Sequence, residues 1–158
     1  FAEVKAFCKS VQNKLKDAVV DAVMHACGAK MASDHPLYAF MNWDQVREMD
    51  GSPLIELGAH TVDHVSLGHV SEAEMYVQID QSIEAVGREL GHRCEHFSYP
   101  EGQESNYNDR VIAYLREKGY DLAPSAIDGH NRIPGTDPFH IRRIMVGFEG
   151  RPYPYATI

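Results

Sequence analysis

The most constraining feature of this chain lies at residues 54–67, where an apolar run ends at Gly58 and leads directly into His60 and His64. Residues i and i+4 share one side of a helical turn, so two rings at this spacing could reach a common ion about 2 Å from each ring nitrogen. Neutral imidazole suits zinc, cobalt, nickel or iron, whereas magnesium and calcium prefer oxygen ligands. The pair therefore predicts a transition-metal site, although nine histidines in 158 residues also produce such spacings by chance.

The segment after His64 has the pattern of a helix. Ser71 is followed three residues later by Glu74, which predicts a capping box at a helix start. Apolar residues then recur every three or four positions up to Gly91, at Met75, Ile79, Ile83, Val86 and Leu90. The order is therefore a strand, a histidine-bearing loop and an amphipathic helix.

The string GAHTVDHVSL at residues 58–67 resembles the second motif of the polysaccharide deacetylases, H-[ST]-x-x-H, a family that includes chitin and peptidoglycan deacetylases. Val65 stands where the family usually has proline. Both motif histidines bind the catalytic metal in the family, so the resemblance implies that His60 and His64 hold zinc, cobalt or nickel. It also implies an N-acetylated glycan as substrate and a function at the bacterial cell envelope.

A second resemblance lies at residues 97–102, FSYPEG, which is similar to the third motif of one branch of the family, F-[AS]-Y-P-x-G. It implies that the backbone N–H of Glu101 faces an oxyanion, and that Tyr99 and Pro100 line the substrate groove. Ser98 occupies the position where many relatives have an arginine that holds the catalytic base. An ordinary turn at a strand end is the alternative interpretation of the same residues.

The segment from residue 122 to 146 resembles the closing part of the same branch, in which an arginine precedes Ile-x-Val. This implies that Arg143 reaches into the site and supplies the charge that is missing at Ser98. The alternative is a paired arginine on the surface. His130 and His140 are candidates for the general acid, but neither stands in the family's leucine-x-histidine context, so neither is assigned.

The family's first motif, threonine-phenylalanine-aspartate-aspartate-glycine, has no counterpart in this sequence, which contains no Asp-Asp pair. In the family that motif supplies the general base and a third metal ligand. Asp34, Asp44 and Asp63 are possible substitutes as ligands, and nothing in their spacing selects one of them. The resemblance thus covers residues 42–146, with a divergent helical segment at 1–41, and predicts weak or absent activity for this chain.

The rest of the pattern predicts an α/β fold, namely part of a distorted (β/α) barrel of the deacetylase type. We expect one long helix from residue 1 to about 28, an irregular connection at 31–40, and further helices at 42–50 and 108–118. Strands are expected near Leu54, Phe97, Tyr120 and Ile144, followed by a tail from residue 147. The prediction is a single domain over residues 1–158 that lacks its N-terminal strand. Because the first residue is Phe1 and not methionine, we also expect the chain to begin partway through a longer product.

Composition excludes several classes of protein. The net charge of −8 disfavours a nucleic-acid surface. No apolar run approaches the roughly 20 residues of a membrane span, and no signal segment opens the chain. The three cysteines, at positions 8, 27 and 94, are odd in number and widely spaced, which favours three buried thiols over a disulfide framework.

Two other functions remain open at this point. A catalytically silent fold that binds a glycan or a partner chain would retain the same motifs, and the sheet edge left by a missing strand would favour homo-oligomers. The string at 60–64 also resembles an H-x-x-E-H peptidase motif with aspartate in place of glutamate. That motif requires a helix, whereas Gly58 and the preceding apolar run predict a strand end here.

Overall fold

A computed structural model of the chain describes residues 2–11, 13–29 and 39–144. Within these residues the helices are α1 (Ala2–Ser10), α2 (Asn13–Ala26), α3 (Trp43–Asp50), α4 (Glu72–Leu90) and α5 (Asp109–Glu117). The strands are β1 (Gly58–Ala59), β2 (His96–Phe97), β3 (Pro124–Asp128) and β4 (Ile141–Arg143), and a 3-10 helix (Pro138–His140) precedes β4. Strands alternate with helices as predicted, and the fold is α/β.

The N-terminal segment differs from the prediction of one long helix. It forms two helices, because α1 ends at Ser10 and α2 begins only at Asn13. Serine and asparagine have lower helix propensity than the alanine and lysine around them, so a break at this point agrees with the sequence. The predicted irregular connection at 31–40 falls almost entirely outside the described residues, as does the tail from residue 147.

Helices α3 and α4 begin at the predicted caps. Asn42 and Gln45 form a complete capping box at α3. At α4 only half of the predicted box is present, because Ser71 Oγ accepts from the N–H of Glu74 while the Glu74 carboxylate accepts from Gln78 instead. Gly91 ends α4 with a left-handed φ of 76°, a conformation that glycine adopts without steric cost.

The four strands form two parallel pairs. β1 pairs with β2 in the register Gly58 to His96 and Ala59 to Phe97. β3 pairs with β4 in the same direction. The strand expected near Tyr120 starts later, at Pro124, because the backbone N–H of Tyr120 donates to Leu115 at the end of α5 and not to a neighbouring strand. The strand expected near Leu54 likewise starts only at Gly58.

One hydrophobic core lies between these pairs and helices α4 and α5. The faces of the two helices that point inward are those predicted from their spacing, with Met75 and Ile79 buried on α4 and Val111, Ile112 and Leu115 buried on α5. Aromatic residues after β2 and before α5 complete the core. The prediction of three buried thiols is wrong, because only Cys94 is buried, while Cys8 is half-buried and Cys27 is exposed.

Among the described residues, none of the helices combines the length and the apolar content needed to cross a membrane.

Candidate metal-binding active site

The two predicted metal ligands follow the end of β1. Ala59, the last residue of that strand, is buried, and its carbonyl accepts a hydrogen bond from the N–H of Ser98 just beyond β2. Because the carboxyl ends of parallel strands meet at one edge of a sheet, His60 and Ser98 are brought side by side. The site is therefore built on the junction of β1 and β2.

His60 is oriented by Ser98. Its Nδ1 lies 2.8 Å from the carbonyl oxygen of Ser98 and 2.9 Å from the Ser98 hydroxyl. A carbonyl oxygen can only accept, so Nδ1 carries the proton and Nε2 keeps its lone pair. A histidine that donates through one nitrogen to a carbonyl and offers the other to an ion is the usual arrangement at protein metal sites.

The electrostatic surroundings of His60 favour the same state. Burial lowers the pKa of the His60 imidazole below its usual value, and the charges of His64 and Arg143 act in the same direction. The Ser98 carbonyl and the Glu101 carboxylate oppose this shift. Neutral imidazole is the form that binds a metal, so His60 is prepared for coordination at neutral pH.

The ring of His64 lies against that of His60, with 4.8 Å between the ring centroids and 70° between the ring planes. Two imidazoles on one tetrahedral ion, each bound about 2 Å from the metal, would have centroids roughly 5 Å apart. The pair thus fits a shared transition-metal ion. The two rings do not meet across a helical turn as predicted, because residues 60–66 form no helix. The H-x-x-E-H peptidase motif requires a helix, so this geometry also removes the basis for that alternative.

The loop that carries the histidines has an unusual backbone. Thr61 and His64 both adopt positive φ, at 63° and 52°. Such conformations cost on the order of 1–3 kcal/mol for non-glycine residues and concentrate at functional sites. The Thr61 hydroxyl is also buried and has no hydrogen-bond partner among the described residues. The loop is therefore held in place by contacts from outside it.

The turn at residues 100–102 lies next to this loop. Glu101 has a φ of 58°, and the N–H of Gly102 donates to the carbonyl of Pro100 at 2.6 Å, as in a strained γ-turn. Gly102 packs directly on β3, where a Cβ would lie 2.5 Å from the N of Ala126. Only glycine fits there, and the turn is thereby fixed against β3.

Arg143 lies close enough to His60 to lower the pKa of its imidazole. Its Nε donates to the carbonyl of Ser125 on the neighbouring strand, so the side chain is anchored along β3. The guanidinium therefore contributes positive charge to the surroundings of His60, and its role in the site stays a prediction.

Tyr99 and Pro100 are the residues that the resemblance places along a substrate groove, and that role stays a prediction. Both side chains are fully buried. Tyr99 stacks in parallel on Tyr107, with ring centroids 4.0 Å apart, and its hydroxyl donates to the carbonyl of Phe139. Tyr99 lies two residues after the buried Phe97, so its side chain points to the same face and becomes part of the core beneath the turn.

A third metal donor is absent from the part of the chain that the structure describes, where no group of three His, Cys, Asp or Glu side chains could hold an ion. Asp63 accepts a hydrogen bond from Gln78 instead, and Asp44 pairs with Arg47 on α3. Asp34 lies outside the described residues. Of the two unassigned histidines, His140 is hydrogen-bonded to Tyr107.

Two residues of the site were not predicted from the sequence in the roles they have. The motif resemblance marks Ser98 only as the position of an arginine, whereas in the fold it is the hydrogen-bond partner of His60. Gln78 lies outside both motifs, and it contacts the histidine loop from α4. Its position on the helix is the available signal, because Gln78 lies three residues after Met75 and therefore on the face of α4 that is turned to the core.

Comparison with solved structures identifies similar folds. The chain is similar to the deacetylase PplD of Streptococcus pyogenes in complex with acetate (TM-score 0.59, 22% identity, 68% of this chain and 46% of that chain). It is also similar to the BpsB deacetylase domain of Bordetella bronchiseptica (TM-score 0.59, 22% identity, 70% of this chain and 51% of that chain). IcaB of Ammonifex degensii is a third such structure (TM-score 0.56, 22% identity, 76% of this chain and 52% of that chain). The chain spans about half of the length of these proteins.

A comparison with curated protein sequences gives no match. The sequence model of the family described as "Polysaccharide deacetylase" matches residues 3–123, which is most of the chain. The similar solved structures have the same type of fold, of which this chain forms a partial α/β barrel. The chain therefore belongs to the polysaccharide deacetylase family.

Proposed function

We propose that this chain contributes the metal-binding histidines and the oxyanion turn of a hydrolase that removes N-acetyl groups from a polysaccharide or amino sugar. The observation that carries the proposal is the convergence of His60 and His64 beside Ser98, which leaves Nε2 of His60 able to coordinate an ion. The similar deacetylase of Streptococcus pyogenes was solved with acetate, the product of this reaction type.

Zinc, cobalt or nickel fits the donor set, because neutral imidazole nitrogens are the ligands these ions prefer. His60 and His64 would hold the ion. When bound, it would polarise the acyl carbonyl and lower the pKa of a coordinated water. The lowered pKa of His60 helps here, since a protonated imidazole cannot coordinate.

The chain's own residues would act on the acyl group from two sides. The N–H of Glu101, carried on the strained turn at 100–102, would donate to the oxygen that becomes negative in the tetrahedral intermediate. Gly102 packs on β3 and keeps that donor in a fixed position, which is the condition for oxyanion stabilisation. The Arg143 charge would favour the same developing anion.

The missing first motif limits this activity. A general base and a third ligand are needed to activate water efficiently, and the described residues supply no three-donor group. We therefore expect weak or absent acetate release from these 158 residues alone. The same observation favours a second function, in which the fold binds a glycan or a partner chain without catalysis.

An unpaired strand edge would direct such association. In the described part of the chain β1 is hydrogen-bonded to β2 alone, so its other edge offers backbone groups to a further strand. A homo-oligomer formed through this edge is part of the proposal. Light scattering over a range of protein concentrations would detect it.

The deciding experiment is titration with zinc, cobalt and nickel by calorimetry, on the wild type, His60→Ala and the control His69→Ala. His69 is an exposed histidine after the same loop. We expect near-stoichiometric binding to the wild type and to His69→Ala, and a loss of at least about tenfold in affinity for His60→Ala.

Acetate release from N-acetylated chitooligosaccharides and peptidoglycan would then separate the two functions. Glycan affinity that is equal with and without metal, together with no acetate release, would favour the silent binding fold. Metal binding that His60→Ala leaves unchanged would contradict the proposed site. Strong acetate release by this chain would contradict the expectation of weak activity.

A further inference from the structure

Gln78 is a buried polar residue in the middle of α4, with 3% of its surface exposed. It lies one turn after Glu74 and faces the loop that connects β1 to the helix. A glutamine in such a position must satisfy its amide group inside the protein, because burying an unpaired amide is costly.

The amide of Gln78 makes four hydrogen bonds. Its Oε1 accepts from the backbone N–H of Val62 at 3.1 Å and from that of Asp63 at 3.0 Å. Its Nε2 donates to Asp63 Oδ2 at 2.6 Å and to Glu74 Oε1 at 3.0 Å. A primary amide has two donor hydrogens and two acceptor lone pairs, so every bond that glutamine can make is used.

These hydrogen bonds attach the loop between the two histidines to α4. Val62 and Asp63 are the residues between Thr61 and His64, both of which have positive φ. The backbone N–H groups of Val62 and Asp63 both donate to the same oxygen, Gln78 Oε1, so one side chain ties two consecutive loop residues to α4. Sparsely populated backbone conformations persist only where the surrounding structure holds them.

We propose that Gln78 is a positioning residue for the metal site, which holds the loop so that His64 faces His60. This inference rests on the proposed function, because it assumes that the two histidines share an ion. The four hydrogen bonds of the Gln78 amide go to the loop backbone and to two carboxylates, so Gln78 acts through the backbone at Val62 and Asp63. Its loss would leave both ligands in the chain but would release the backbone that sets their mutual orientation.

The charge pattern around Gln78 explains why glutamine is the residue needed. Its two neighbours on the donor side are both carboxylates, those of Asp63 and Glu74. Glutamate at this position would accept from the two loop N–H groups but would repel both carboxylates. Methionine would fill a similar volume and make none of the four bonds.

The test compares Gln78→Met, Gln78→Glu and the double variant Gln78→Glu with Asp63→Asn against the wild type. The double variant reverses one pair, because the new asparagine can donate to the new glutamate. Ser82→Ala is the matched control, since Ser82 is also buried on α4 but donates to the carbonyl of Ile79 and not to the loop. Unfolding midpoints are measured for all variants.

Two readouts separate positioning from general stability. The first is hydrogen exchange of the Val62 and Asp63 amides relative to amides within α4, measured without metal. The second is zinc affinity by calorimetry, with the absorption spectrum of bound cobalt as a report on ligand geometry. For Gln78→Met we expect loss of amide protection at Val62 and Asp63 and at least about a tenfold loss of zinc affinity. Gln78→Glu should lose more, and the double variant should recover part of the loss.

The inference is overturned if Gln78→Met keeps amide protection and zinc affinity within about twofold of the wild type, or if Ser82→Ala loses as much affinity. If the wild type binds no zinc, the proposed function fails for this chain. Amide protection at Val62 and Asp63 then still decides whether Gln78 holds the loop. Should Gln78→Glu fail to fold, Gln78→Met and the double variant give the same comparison.

Discussion

Ser98 is the residue through which two strands share one site. Its N–H donates to Ala59 at the end of β1, and its carbonyl and hydroxyl both face Nδ1 of His60. The carbonyl bond does not depend on the side chain, so the tautomer of His60 is set by the backbone. Replacement of an arginine by serine at this position is therefore compatible with an oriented metal ligand.

Two substitutions at the turn test different features, namely the backbone strain at Glu101 and the close packing of Gly102 on β3. Glu101→Gly removes a strained φ of 58° and should leave the free energy of unfolding unchanged or raise it by up to about 1 kcal/mol. Gly102→Ala places a Cβ 2.5 Å from the N of Ala126 and should lower it by more than about 1 kcal/mol. Denaturant unfolding of both variants measures this, and equal midpoints would contradict the described packing of the turn.

Helices α3 and α4 are joined at one end by charged groups. Arg47 on α3 contacts the Glu89 carboxylate near the end of α4, and His92 just beyond α4 pairs with Asp50 at the end of α3 at 2.8 Å. These contacts keep α3, which has no buried residue of its own, against the body of the chain. They are exposed, so each is worth little in isolation.

The pair of His92 and Asp50 predicts a specific pH dependence. The Asp50 carboxylate raises the pKa of His92 above its usual value. The folded state therefore binds the proton more tightly, and this stabilisation is full below the unfolded pKa of about 6.5 and is lost as pH rises through the folded pKa. We expect the unfolding midpoint of the wild type to decrease as the pH is raised above about 6.5, by an increment that His92→Gln lacks.

Asp50→Asn is the control for this prediction, because it removes the partner and keeps the histidine. It should abolish the same increment. Titration of the His92 ring protons by NMR gives its pKa directly, and a value at or below that of the unfolded chain would contradict the pairing.

At the scale of the whole molecule, the described body of the chain is held by one core between the two strand pairs and helices α4 and α5. The chain nevertheless spans only about half of the length of the structures it resembles. Among the described residues the strands form two separate pairs, as in a part of a barrel. In this part of the chain the core and the histidine pair are present together without a closed sheet.

Leu115 tests whether this core is cooperative. It is fully buried on α5, and Leu115→Ala should lower the free energy of unfolding by about 2–5 kcal/mol through the cavity it leaves. Leu54→Ala, at a leucine that is 91% exposed, should change it by less than about 0.5 kcal/mol. Thermal or denaturant unfolding measures both. Similar losses for the two leucines would contradict a single core.

Much of this molecule was predictable from local patterns. Capping residues predicted the starts of α3 and α4, and apolar periodicity predicted the inward faces of α4 and α5 and the α/β class. The motifs at 58–67 and 97–102 predicted the family. These features depend on residues close together in the chain. The strand positions were less predictable, because each strand is two to five residues long and its hydrogen bonds go to a distant partner.

The arrangement of the site depended on contacts between distant residues. His60 and Ser98 are 38 positions apart, and Gln78 reaches back 16 positions to Val62, so no local pattern could pair them. Tyr99 is part of the motif at 97–102 and yet is buried. Its burial comes from Tyr107, eight positions away, whose ring stacks on it in the folded chain. The amino-acid order thus indicated the groups that we propose to carry the chemistry. Their orientation arose from packing, since the parallel junction of β1 with β2 and the buried face of α4 bring those groups together.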